Sequence, residues 1–146
     1  MLKLQARVLY EGAAEWPVLW LDEPLSFWGG FDPASGIIVD NNHPQRGLCL
    51  KGTILVLPAT RGSGGTPGGV AEAIRLGTGP KAIIMATGDA NVMIGAAVAN
   101  RLYGLTCPVL ELSGDGFAAL QHAERASVTP AGQITIWDQD SLTGCC

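Results

Sequence analysis

Apolar and polar positions change rhythm once along this chain. "LKLQARVLY" (2–10) alternates, as a strand with one wet face does, until Gly12 interrupts it. Two short β-branched runs follow, "GIIVD" (36–40) and "GTILVLP" (52–58), each bounded by Gly, Asp or Pro. Between them "NNHPQRG" (41–47) supplies turn residues. The first third therefore reads as a small, mostly β unit with irregular loops.

The second half takes up a helical period. "PGGVAEAIRLG" (67–77) sets Val70, Ala73 and Ile74 on one face, with Pro67 in the first turn and Gly77 as the stop. "KAIIMATG" (81–88) is a continuous apolar run suited to a strand buried on both faces. "DANVMIGAAVANRLYG" (89–104) predicts a helix capped by Asp89 and ended by Gly104. "CPVLEL" (107–112) reads as another buried strand and "SGDGFAALQHAER" (113–125) as another helix, with Ser113 near its start. "ASVTPAGQITIWD" (126–138) reads as a closing hairpin. The order, β-rich then α–β–α–β–α then β–β, predicts a single α/β domain over residues 1–146. Its core would be a mixed sheet or compact barrel with helices packed outside, and residues 144–146 would form a frayed tail.

Composition narrows the function classes. The chain has 146 residues, enough for one proper core, and is 47% hydrophobic with only 15% charged. So low a charged fraction implies that some surface is covered by something else. A net charge of −4 and scattered basic residues argue against a nucleic-acid partner. No apolar run approaches membrane-spanning length, and charges come too early for a signal peptide, so the expected compartment is the cytoplasm. The four cysteines show no CxxC spacing, which supports neither a zinc site nor a redox motif. Cys49 and Cys107 lie in apolar stretches and read as small core residues. No metal site is expected in this chain.

Candidate chemistry gathers in "ATRGSGGTPGG" (59–69), where five glycines surround Arg61, Ser63 and Thr66 between a strand and a helix. The stretch fails three known patterns. A phosphate-binding P-loop needs a lysine after its last glycine, where Val70 stands; a dinucleotide fingerprint needs glycine where Pro67 stands; a nucleophile elbow needs glycine where Arg61 stands. What remains is a glycine nest opening onto a helix N-terminus, a place that attracts anions, with Arg61 able to clamp a carboxylate. The alternative is a plain turn with Arg61 in a surface ion pair.

A second stretch, "EPLSFWGGFDPASG" (23–36), sets Phe27, Trp28 and Phe31 beside Gly29 and Gly30. Large aromatics on a loop line a cleft or interface, or else plug the core beneath it. On the residues alone the two readings stand even, and these five positions, with His43 nearby in "DNNHP", are candidates for a cleft or interface; a histidine before proline is otherwise an ordinary turn residue with a satisfied ring. His122 reads as solvated, and Asp32, Asp40 and Asp89 as turn and cap residues. By itself the chain offers a serine, an arginine and backbone donors, a fragment of a site that a partner would have to complete.

Taken in order, "EPLSFWGGFDPASGIIVDNNHPQRG", "LKGTILVLPATRGSGGTPGGVAEAI", "GPKAIIM" and "IGAAVANRLYGLTCPVLEL" resemble the small subunit, or swivel domain, of the aconitase X family over roughly residues 4 to 112. The resemblance implies a swivelling β/β/α domain that closes over the cleft of a large catalytic subunit. That subunit would hold an iron–sulfur cluster, and the pair would eliminate water from a small hydroxy acid. It also implies that Ser63 is the catalytic base, with Arg61, Gly62, Gly64, Gly65 and Thr66 around the substrate. Family members often carry further serines after that position; here Gly64, Gly65 and Thr66 stand instead. The implied substrates are cis-3-hydroxy-L-proline, favoured by this departure, and mevalonate 5-phosphate. A chain ending at Cys146 resembles the two-subunit form. The competing class is a non-catalytic anion-binding or regulatory module.

Overall fold

A computed structural model describes residues 1–62 and 64–137, Trp16 by its backbone alone. In chain order these form β1 (Leu2–Gln5), β2 (Arg7–Tyr10), β3 (Ala14–Trp20), β4 (Phe31–Asp32), β5 (Ile37–Ile38), β6 (Ile54–Leu57), α1 (Thr66–Leu76), β7 (Ala82–Met85), α2 (Ala90–Tyr103), β8 (Val109–Glu111), α3 (Gly114–Ala119), a 3-10 turn (Leu120–His122), β9 (Arg125–Val128) and β10 (Gln133–Trp137). The tail expected at 144–146, with Cys145 and Cys146, lies outside the described residues.

Eight of the strands make one mixed sheet in the order β1-β10-β9-β3-β6-β7-β8-β2, and β4 pairs only with β5. One residue, Ala6, separates β1 from β2, yet these two strands occupy opposite edges of that order. A flat sheet cannot satisfy both facts; the sheet curls until its edges meet at Ala6, whose N–H donates to the Gly132 carbonyl (2.9 Å). The result is a mixed curled sheet, a half-barrel flanked by three helices. Of the strands in the first third only β4 and β5 stand apart as a pair: β1 to β3 supply both edges and the middle of the common sheet.

Alternation sorts the buried strands into two cores. Ile54, Val56, Ala82, Ile84 and Leu110 point into the curl with Val128 and Ile134. Leu55, Leu57, Ile83, Met85 and Val109 point the other way, under α1 and α2. Each such fully buried aliphatic side chain contributes about 1.5–3 kcal/mol relative to exposure. This explains why "ILVL" and "AIIM" read as unbroken apolar runs: both faces are covered. Phe117, its ring centroid 4.8 Å from that of Trp20, and fully buried Leu120 carry α3 and its turn onto the inner core.

β3 escapes the sequence reading because Pro17 sits inside it. The strand changes partner there: Ala14–Pro17 lie antiparallel to β9, and Val18–Trp20 parallel to β6. A residue without an N–H is tolerated where one ladder ends and another starts. Cys107 is buried, and burial pushes its thiol up to about 12. Cys49 is exposed, against the expectation of a core residue. Its segment makes a single bridge to Ile37, and Leu50 takes the inward place beside it. Among the described residues no helix is long and apolar enough to cross a membrane.

Candidate functional site

Parallel strands β6 and β7 deliver two loops to one end of the sheet, each leading into a helix. Clefts in such sheets open at the carboxyl ends of the strands. After β6 the chain runs on extended: the Arg61 N–H donates to the Leu25 carbonyl (3.0 Å), and Leu25 bridges Thr60 in parallel. On the other side the Thr60 hydroxyl donates to Asp89 Oδ2 (2.5 Å), whose Oδ1 accepts the Asn91 N–H (2.9 Å). One carboxylate thus caps α2 and fixes the start of the glycine-rich loop. Sequence reading gave Asp89 the cap alone. The contact to Thr60 spans 29 residues and exists only once β7 lies beside β6.

The five loop glycines fall into three groups. Gly62 takes a left-handed φ of 83°, which a side chain resists. A Cβ on Gly65 would lie 2.3 Å from the Trp28 indole, and one on Gly69 would lie 2.1 Å from the Phe27 carbonyl oxygen. These two are required by the aromatic segment that packs on the first turn of α1. Gly64 and Gly68 face open space.

The aromatic segment divides. Phe27 and Phe31 are buried and meet edge to face, ring centroids 5.7 Å apart. They plug the domain's own core and line no cleft or interface, which corrects the expectation for both. Chain geometry drives this: Gly29, with φ at 98°, and buried Gly30 reverse the backbone, so the two rings point back under the loop. Trp28 alone faces out, 70% exposed, over Gly65. Ser26, which the sequence reading passed over, holds it there by donating to the Trp28 carbonyl (2.7 Å) and lies against Gly62.

His43 is buried, with Nδ1 accepting the Gln45 N–H (3.0 Å) and Nε2 3.3 Å from the Glu23 carbonyl. A ring so occupied on both sides braces a turn and faces no cleft, a second correction. Asp32 and Asp40 hold turns as expected. Asp32 accepts from the Ser35 hydroxyl and the Ala34 N–H, which hold its carboxyl below the usual range, and Asp40 accepts from the Asn42 N–H. His122 is exposed.

Arg61 is exposed, and among the described residues no carboxylate pairs with it. The N-cap of α1 is Gly65, with no side-chain cap and no acidic residue in the first turn. The positive end of this helix is therefore uncompensated within the described residues, and exposed Arg61 precedes its N-cap by four residues. Thr66 is buried, and its hydroxyl has no hydrogen-bond partner among them. Its hydroxyl is shielded from a ligand, and what the residue offers the site is its N–H in the first turn. Ser63, between Gly62 and Gly64, lies outside the described residues. Among those described, no three His, Cys, Asp or Glu side chains converge to hold a metal ion.

The pattern that defines the aconitase X swivel domain matches residues 3–136. The chain belongs to that family. The fold agrees: the crystal structure of Thermococcus kodakaraensis aconitase X in its holo-form superposes with a TM-score of 0.80 at 28% identity, covering 94% of this chain and all of that one. The cis-3-hydroxy-L-proline dehydratase of Hypocrea jecorina is 33% identical over 131 residues, 90% of this swivel domain but 22% of the relative. The phosphomevalonate dehydratase small subunit of Pyrococcus furiosus is 41% identical over 100 residues, 67% of this chain and 73% of that subunit. The swivel domain thus spans about a fifth of the hydroxyproline dehydratases it matches, and most of the phosphomevalonate dehydratase small subunits.

Proposed function

We propose that this chain is the small subunit of an aconitase X-type hydro-lyase, inactive until a large subunit closes against its glycine-rich loop. The observation that carries the reading is a loop with uncompensated positive charge: exposed Arg61 and, four residues on, the bare N-terminus of α1, with the loop's start held from both sides by Leu25 and Asp89. A carboxylate-bearing substrate fits that loop. Abstracting the proton next to its carboxylate builds negative charge on the carboxylate oxygens, where a guanidinium and backbone donors stabilise the transition state more than the ground state. Ser63 is the base in this reading. Its alkoxide needs the same donors, and Gly62 and Gly64 leave the backbone on either side of it unencumbered.

The iron–sulfur cluster implied by the family would assist departure of the hydroxyl. In this reading the large subunit holds the cluster. The substrate favoured is cis-3-hydroxy-L-proline, which would lose its C2 proton and C3 hydroxyl to give an enamine and then a cyclic imine. Support comes from the loop. Gly64 and Gly65 carry no hydroxyl and that of Thr66 is shielded, so a phosphate group finds few side-chain donors. The likeness to the Pyrococcus furiosus subunit keeps mevalonate 5-phosphate as the second reading.

The test is to co-purify the chain with its cognate large subunit, load the cluster and assay both substrates. Ser63→Ala is expected to lower turnover by about 100-fold or more with assembly intact. A wild-type rate in that variant removes the base assignment. Tight binding of a small carboxylate by the isolated chain, with no dehydratase activity in the complex, favours a non-catalytic module.

A further inference from the structure

Helix α2 carries one charged residue, Arg101, in fourteen. Its inner face, Val92, Gly95, Ala96 and Ala99, is buried against α1 and the sheet. Its outer face is also apolar: Ile94, Val98 and Leu102, spaced by four, are 44%, 38% and 65% exposed. With Tyr10 and Met93 they line a shallow concavity of about 500 Å³, with Arg101 at its side. A helix that is apolar all round belongs in an interior, and this chain covers only one side of it.

We infer that the outer face of α2 is the seat of the large subunit, which would meet it with an apolar surface bordered by a carboxylate opposite Arg101. The inference rests on the proposed function and adds the surface to it. Two observations select the occupant. The same domain is about a fifth of the chain in the hydroxyproline dehydratases, so there a far longer polypeptide is covalently joined to it and available to cover this face. And α2 begins at Asp89, whose carboxylate holds Thr60 at the start of the glycine-rich loop. A body seated along α2 therefore reaches the rim of the site, and its seating is felt at the loop through one hydrogen bond.

The experiment measures association of the full chain with its cognate large subunit by sedimentation velocity. It uses wild type, the double variant Ile94→Asp/Leu102→Asp, the milder Leu102→Ser, and the control Leu76→Asp on the outer side of α1. The double variant is expected to weaken association by at least about 100-fold and Leu102→Ser by several-fold, each melting like wild type alone. Leu76→Asp is expected to bind like wild type. Arg101→Glu should weaken binding by about tenfold and steepen its loss with salt. Wild-type affinity in both α2 variants overturns the inference and leaves the proposed function standing. A wild-type chain that dimerises alone through this face, and loses the dimer in the variants, overturns it in favour of a second copy. Failure of wild type to bind the large subunit at all removes the proposed function and the inference together. If the double variant unfolds, Leu102→Ser and Arg101→Glu decide.

Discussion

Helices α1 and α2 are built alike and finished differently. Each follows a parallel strand, ends in a left-handed glycine, Gly77 or Gly104, and packs on the other over the same sheet. Outside, α1 carries Glu72 and Arg75, whose guanidinium donates to both carboxylate oxygens, a finish suited to water. The outside of α2 carries Ile94, Val98 and Leu102. Their N-termini differ too: α2 is capped by Asp89, whereas α1 starts on Gly65 with no side-chain cap. One helix leaves its positive end free and its flank solvated; the other neutralises its positive end and leaves an apolar flank. The proposed reading divides the work along the same line, with ligand binding at the end of α1 and partner binding on the side of α2.

The largest effect is expected where α1 is seated. Gly69→Val would drive a side chain into the Phe27 carbonyl, already 2.1 Å from an added Cβ. Relief requires moving either the helix or the aromatic segment. The expected cost is about 3 kcal/mol or more, and the melting temperature should fall by roughly 10 °C. A wild-type melt would mean that the aromatic segment is loose, and Trp28 would lose its role as a fixed rim to the loop. Next comes the helix crossing. Gly95→Val on α2 would meet Val70 Cβ at 2.7 Å and the Pro67 carbonyl at 2.8 Å. An expected loss of about 2 kcal/mol in denaturant melts tests whether the two helices move as one body.

A smaller loss separates the two N-termini. Asp89→Ala removes both the cap of α2 and the acceptor for Thr60, and about 1–2 kcal/mol is expected. Asp89→Asn keeps an oxygen for the Asn91 N–H and should recover part of that stability. Because the carboxylate also fixes the loop, both variants are expected to lower turnover in the assembled enzyme beyond what their melts explain. Unchanged turnover in Asp89→Ala would reduce the Thr60 contact to packing.

These helices were legible in the sequence because their signals are local: Asp89 and Gly104, Pro67 and Gly77 stand at the ends they define. The buried strands were legible for the same reason. What escaped depends on contacts between distant segments. Pro17 hid β3, because only the neighbouring strands show that one ladder ends there and another starts. Phe27 and Phe31 read as a cleft because the glycine turn that folds them inward has no periodic signature. The glycine-rich loop was found, but a simple nest misjudges it. Gly65 and Gly69 answer to Trp28 and Phe27, some forty residues earlier in the chain, and only the assembled loop reveals that requirement. The outer face of α2 was foreshadowed only by the low charged fraction, because period alone cannot tell a covered flank from an uncovered one.

The smallest effect is the most informative about the contrast between the helices. Glu72 and Arg75 form a two-bond pair, which holds the Glu72 carboxyl below its usual range, yet both side chains are 42% exposed. A depressed carboxylate stabilises the fold only above its unfolded pKa, and that stabilisation fades as pH falls through the folded value. Exposure to solvent and salt screens the pair, so Glu72→Gln is expected to leave the melting temperature at pH 7 unchanged, in low salt and high. It should also leave association with the large subunit untouched, because water already covers this flank. If Glu72→Gln weakened that association more than Leu102→Ser does, the partner would have to sit on α1, the charged flank would be the buried one, and the division of labour between the two helices would be reversed.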